Sequence, residues 1–168
     1  EWEAEDLARA NFQDLVELYP ASPFAIDGNY ILGDLHFANN EVEAAVPYFQ
    51  AVVDRPPPDN QRYDEGVYML AWSHYKLSNY RKTLNLFTEL LDYSDVQFAD
   101  SGRESPLRPE AVDYAAITFS DLADKSLTLE DPDWRSYSGK DLEQVSALFS
   151  SIGLPQSQVT PVQVAKAW

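Results

Sequence analysis

The chain repeats itself at a fixed spacing, and that constrains its fold more than any other feature. Ala8, Phe12 and Pro20 recur as Ala45, Phe49 and Pro57, each displaced by 37 residues. Tyr30, Leu32, Gly33, His36, Phe37 and Phe49 recur as Tyr68, Leu70, Ala71, His74, Tyr75 and Phe87, each displaced by 38. Self-similarity at this period marks a repeat protein, in which each unit is one small supersecondary element that buries its apolar face only by stacking on its neighbours.

Within a unit the apolar residues step by three and four. Ile26, Tyr30, Gly33 and Phe37 make one stripe and Ala45, Val46, Phe49 and Val52 a second, so two helices are predicted. Ser22-Pro23 opens the first, since proline suits the first helical turn. Asn39-Asn40 separates the two, with Asn40 expected as N-cap of the second and Glu43 in capping-box position. Pro56-Pro57-Pro58 ends the second helix, because proline lacks the N–H and clashes with the preceding turn. Gly33 and Ala71 are small where helices should cross, with Ala45 as the expected facing knob. Phe49 and Phe87 are expected to fill the space between hairpins. The predicted fold is all-α, a superhelix of αα-hairpins with six or seven helices.

The third repeat is irregular. Residues 1–93 read as regular repeats and 94–108 as a polar connection, Asp95 to Arg108 being mostly polar. Residues 109–158 read as a divergent helical hairpin carrying Ala111, Ala115, Ala116, Phe119 and Leu122, then Leu142, Val145, Leu148 and Phe149. Thr160-Pro161 begins a further helix over 159–168, cut after about two turns, which reads as part of something longer.

Composition excludes several functions. The 168 residues carry a net charge of −16, which disfavours nucleic acid and anionic membrane as partners. Residues 1–60 hold twelve carboxylates against Arg9 and Arg55, making this the acidic end. No apolar run approaches the roughly 20 residues that span a bilayer, so no membrane insertion is expected from this stretch. Cysteine is absent, which removes disulfides, thiolate metal sites and thiol nucleophiles.

Catalytic chemistry is not legible. The two histidines, His36 and His74, occupy one slot in successive repeats, which architecture explains as core or groove wall. Neither sits in a metal-ligand spacing such as His-Glu-x-x-His. Close carboxylates such as Asp92/Asp95 and Asp131/Asp133 follow from having 28 of them. Asp95, Asp100 and Glu104, or Glu130, Asp131 and Asp133, lack the spacing of a calcium loop. There is no phosphate-binding glycine loop and no nucleophile elbow. The expectation is no catalytic residue, no metal and no cofactor.

Aromatic residues, 13% of the chain, are more informative. Trp72 follows the crossing position Ala71 and is expected on the inner, concave surface, with Asp34 as its counterpart one repeat earlier. Steps of three and four add Tyr30 and Phe37 from one repeat and Tyr68 and Tyr75 from the next. Tyr30, Asp34, Phe37, Tyr68, Trp72 and Tyr75 therefore form the candidate binding groove.

The order Leu32-Gly33, two residues, His36, then Ala45, three residues, Phe49, then Pro57 resembles the tetratricopeptide repeat, with Asn29 for its Trp and His36 for its Tyr. Ala8-Phe12-Pro20 is similar to the second half of such a repeat, and Leu70-Ala71-His74-Phe87 to the next one. The resemblance implies a right-handed superhelix and a non-enzymatic protein-interaction scaffold. In members that grip carboxyl-terminal peptides, Lys, Arg and Asn line the inner face. Here the matching places hold Tyr30, Asp34, Tyr68 and Trp72, so the expected partner is an apolar or basic protein segment. The stretch from Phe12 to Ala25, followed by Tyr30-Ile31-Leu32-Gly33, is similar to the lengthened repeats of bacterial envelope proteins of the BamD and CpoB type. Gly102 to Val112 resembles long envelope repeat proteins, including gliding-motility machinery. These likenesses imply a cell-envelope complex in the periplasm or on the inner face of the outer membrane. Two alternatives are a glycan- or peptidoglycan-binding module that stacks sugars on Trp72, Tyr68 and Tyr75, and a regulatory repeat segment of an enzyme.

Overall fold

A computed structural model describes residues 2–126. They form six helices and no strand: α1 (Trp2–Leu18), α2 (Phe24–Ala38), α3 (Val42–Val53), α4 (Tyr63–Lys76), α5 (Tyr80–Ser101) and α6 (Arg108–Ser126). The all-α expectation holds for these residues. The stripe Leu142, Val145, Leu148 and Phe149, the carboxylates Glu130, Asp131 and Asp133, and the helix expected after Thr160 lie outside the described residues. The chain divides into two compact units between Leu77 and Ser78.

In the first unit each helix packs on the one before it: α2 on α1, α3 on α2 and α4 on α3. Proline opens α2 as expected, with the Ser22 Oγ accepting a hydrogen bond from the Phe24 N–H at 3.3 Å. The turn between α2 and α3 departs from expectation. Asn40 does not cap α3; it stands in the left-handed region at φ 61°, and Glu41 is the residue ahead of α3. The Glu41 N–H donates to the His36 carbonyl at 2.8 Å and the Asn40 N–H to the Phe37 carbonyl at 3.0 Å. This pair of bonds is a Schellman motif, which closes α2 by satisfying carbonyls that lack a helical partner. Asparagine suits that left-handed position because its short polar side chain tolerates it. Ser78, 38 residues on, takes the same conformation at φ 60°, so the turn repeats along with the side chains.

Two glycines set how closely the helices approach. A Cβ on Gly33 would lie 2.7 Å from the ring of Phe49, and one on Gly66 would lie 2.6 Å from Val52 Cγ1. Real carbon–carbon contacts sit near 3.5–4.0 Å, so a methyl at either place would force a neighbour to shift. The small residue predicted at position 33 is thus explained, although the side chain filling the space is Phe49 rather than Ala45. The ring of Phe49, expected between hairpins, meets Tyr30 and Phe37 of α2 edge-on, at 5.9 Å and 6.4 Å between centroids. Phe49 is fully buried with Leu32, Ala45, Val52, Val67 and Ala71.

In the second unit α5 packs on α6. Helix α5 runs to Ser101, so the polar connection expected over 94–108 shrinks to residues 102–107. Position 94, read as polar, is a buried serine whose Oγ accepts the Ser105 N–H at 3.0 Å, tying the returning loop to the helix. The helix stops at Gly102, left-handed at φ 69°. Phe87 is buried and stacks on Tyr114 of α6 at 6.3 Å. The stripe predicted from Pro109 to Ser126 is α6, with Ala111, Ala115, Ala116 and Phe119 buried.

Candidate interaction surface

The six groove residues all belong to the first unit, on α2 and α4, two helices that touch each other. Tyr30, Asp34 and Phe37 follow one face of α2. Tyr68, Trp72 and Tyr75 follow one face of α4. Every aromatic ring among them is half-buried and Asp34 is exposed.

The rings fall into two groups. On α4, Trp72 stands edge-on to Tyr68 at 6.4 Å and to Tyr75 at 5.4 Å. On α2, Tyr30 and Phe37 turn toward Phe49, and each is covered by a cation from the region of α4. The Arg62 guanidinium lies 4.9 Å from the Tyr30 ring centre, and the Lys76 ammonium 4.3 Å from that of Phe37. Both distances are within cation–π range. Tyr30 and Phe37 therefore act as hairpin wall, while Trp72 with its two tyrosines is the larger aromatic group at the surface.

Arg62 and Lys76 are absent from the groove as read in the sequence. Arg62 stands just ahead of α4 and Lys76 is its last residue, so they bracket the aromatic stripe. That bracketing was the available signal. The reach of two long side chains back to α2, however, depends on how α4 lies across it.

Arg62 joins α2 to α4. It hydrogen-bonds the Asp27 carboxylate of α2 and, at 2.5 Å, that of Glu65 one turn into α4. The bond to Asp27 is the main cause that raises its pKa above an already high ordinary value, so this cation is permanent. The Tyr30 hydroxyl is pushed up by burial first and then by the negative charge of Glu65 and Asp34, which keeps it protonated. The face therefore offers a neutral phenol, an exposed carboxylate and an indole.

The histidines take structural places. His36 Nδ1 lies 2.6 Å from Glu41 Oε2, and its ring stacks on Tyr48 at 5.3 Å. That hydrogen bond links the two residues whose backbones close the Schellman turn, where an apolar contact is the commoner device. His74 is buried. Among the described residues no group of three or more His, Cys, Asp or Glu is placed to hold a metal. Asp95 instead pairs with Arg108 at 3.0 Å. No helix among the described residues is long and apolar enough to cross a membrane.

The family model for the tetratricopeptide repeat matches residues 3–60. The match supports a tetratricopeptide-repeat protein. It covers α1, α2, α3 and most of the loop before α4, and so includes the half repeat Ala8-Phe12-Pro20 and the repeat Leu32-Gly33 to Pro57. No curated protein and no solved structure matches the chain. The narrower likeness to BamD and CpoB thus rests on the residues quoted for it alone.

Proposed function

We propose that the chain is a non-enzymatic protein-interaction scaffold, a tetratricopeptide segment of a bacterial cell-envelope complex of the outer-membrane assembly, Tol–Pal or gliding-motility kind. It works in the periplasm or on the inner face of the outer membrane. Tetratricopeptide repeats generally mediate protein–protein interaction, which supports the first half of this reading. The envelope half draws on the Phe12–Ala25 resemblance. An apolar or basic protein segment binds at Trp72, and the observation that carries this is the half-buried indole set edge-on between Tyr68 and Tyr75. Tryptophan and tyrosine dominate interface energetics because they combine large apolar area with a polar tip.

Trp72→Ala tests the reading. Truncating such an anchor costs about 2 kcal/mol or more in binding, so capture of envelope partners from a periplasmic extract should fall at least about tenfold. The melting temperature should move by only a few degrees. Unchanged capture of every partner would remove Trp72 from the binding surface, and global unfolding would place it in the core. Titration of the wild-type chain with muropeptides, followed by tryptophan fluorescence, separates glycan binding: a saturable change lost in Trp72→Ala would favour the sugar-binding alternative.

A further inference from the structure

The edge of the first unit formed by the α1–α2 turn and the loop between α3 and α4 holds two adjoining clefts. One, of about 550 Å³, lies between Pro23, Ile26, Asp27, Arg62 and Glu65. The other, of about 610 Å³, runs along Asp54, Arg55 and the prolines 56–58. Pro23, Ile26 and Asp59 line both. At the same turn three large apolar side chains face solvent: Leu18, Tyr19 and Phe24 are 67%, 64% and 68% exposed. Single exposed apolar residues are ordinary, but three at one turn beside clefts with proline walls form a patch of the kind that marks an interaction surface.

Charge selects the occupant. The lining carries four carboxylates, Asp27, Asp54, Asp59 and Glu65, against Arg55 and Arg62. Both arginines are engaged within the fold: Arg62 by Asp27 and Glu65, and Arg55 by the Ser22 carbonyl at 2.9 Å. Asp59 is exposed, borders both clefts and has no hydrogen bond or ion pair among the described residues. A second copy of this chain carries the same net charge of −16, and nucleic acid would bring phosphates. A cationic segment meets neither repulsion.

We propose that this edge docks a basic, apolar segment of a protein partner. A Lys or Arg side chain of the partner lays its aliphatic stem along Pro23 and the prolines 56–58 and sets its charge against Asp59, while apolar residues of the segment cover Phe24 and Tyr19. Neither Trp72 nor the two tyrosines it meets edge-on lines either cleft, so occupancy of the edge does not depend on the reading above.

The probe is a short fluorescein-labelled peptide alternating Arg and Leu, titrated with the full chain and followed by anisotropy at physiological salt, beside the same peptide with Glu for Arg. The Arg peptide should bind saturably and the Glu peptide should not. Asp59→Arg and Phe24→Ser should each weaken binding at least about tenfold. Asp14→Arg, the same charge change on exposed α1, should leave affinity unchanged, as should Trp72→Ala. Circular dichroism establishes that each variant keeps its helices. Failure of the Arg peptide to bind overturns the proposal, as does equal binding of the Glu peptide. Retained affinity in both Asp59→Arg and Phe24→Ser overturns it too. An equal loss in Asp14→Arg would reduce the effect to net charge, and a loss in Trp72→Ala would move the peptide to α4; either result overturns it.

Discussion

Gly33→Ala opposes two effects of known sign, and the structure decides which wins. In an ordinary helix interior the change stabilises, since alanine is favoured over glycine by about 0.8–1 kcal/mol. Here the new methyl would sit 2.7, 2.8 and 3.0 Å from three carbons of the Phe49 ring. That ring is fully buried and held edge-on by Tyr30 and Phe37, so it has nowhere to turn. Overpacking of this kind costs about 1–3 kcal/mol. The balance is a net loss of about 1 kcal/mol, which for a unit of this size lowers the melting temperature by several degrees. Urea unfolding followed by circular dichroism measures it. A double-mutant cycle locates the cause: in a Phe49→Leu background the smaller side chain leaves room, so Gly33→Ala should become neutral or stabilising, with a coupling energy of about 1–3 kcal/mol. If Gly33→Ala raises the stability of the wild-type chain, the close approach of α2 to Phe49 is wrong.

Phe87→Ala should destabilise the second unit by about 3–5 kcal/mol, because the ring is buried against Tyr114; an unchanged unfolding midpoint would contradict its place in the α5–α6 core. Asn40→Gly should be neutral or slightly stabilising, whereas Asn40→Val should cost about 1–2 kcal/mol, since a β-branched residue tolerates the left-handed turn poorly. Equal effects of the two in thermal melts would place Asn40 elsewhere. Asp92, on a face shared with Glu89 and Asp95, has its pKa raised above the ordinary 3.8 by burial first and by those two carboxylates next. A raised folded-state value means a contribution to stability that is present below 3.8 and lost as pH rises through the folded value. Asp92→Asn should therefore raise the melting temperature at neutral pH, with the gain shrinking to nothing in acid. A gain independent of pH would refute the assignment.

The sequence made the hairpins of residues 20–60 legible because two independent signals agreed, the period of 37–38 and the steps of three and four. It could also show that position 33 must be small, since a crossing needs a short side chain. It could not show that Phe49 is what crosses there, because Ala45 and Phe49 lie one helical turn apart on the same stripe. The role of Asn40 was missed for a related reason: asparagine favours both N-caps and left-handed turns, and only the backbone angle separates them. Helix α5 was read as too short because Asp95, Gln97 and Asp100 look like a loop. They lie on the last part of α5, where residues 95–101 are all exposed or half-buried beyond buried Ser94, so no inward stripe marks the helix in the sequence. On the candidate surface, the α4 aromatics could be grouped from spacing alone, whereas Arg62 and Lys76 act across to α2, and the spacing of residues within one helix says nothing about reach between helices.

Arg62 has an implication for how such a chain can change over evolutionary time. Hairpins of one period are interchangeable as backbones, so duplication, deletion and reordering should be cheap. The guanidinium makes this junction an address. It recognises Asp27 in the preceding hairpin, Glu65 in the helix it precedes and the ring of Tyr30 together, and no neighbouring hairpin chosen at random supplies the first and third. A reordered array would leave the cation with Glu65 alone and uncover Tyr30. Lysine cannot stand in, because its single ammonium lacks the planar fork that meets two carboxylates and an aromatic face at once. The order of repeats here is thus written in side chains, and a lineage that lost Asp27 would have to lose Arg62 with it or carry a half-satisfied charge at the joint.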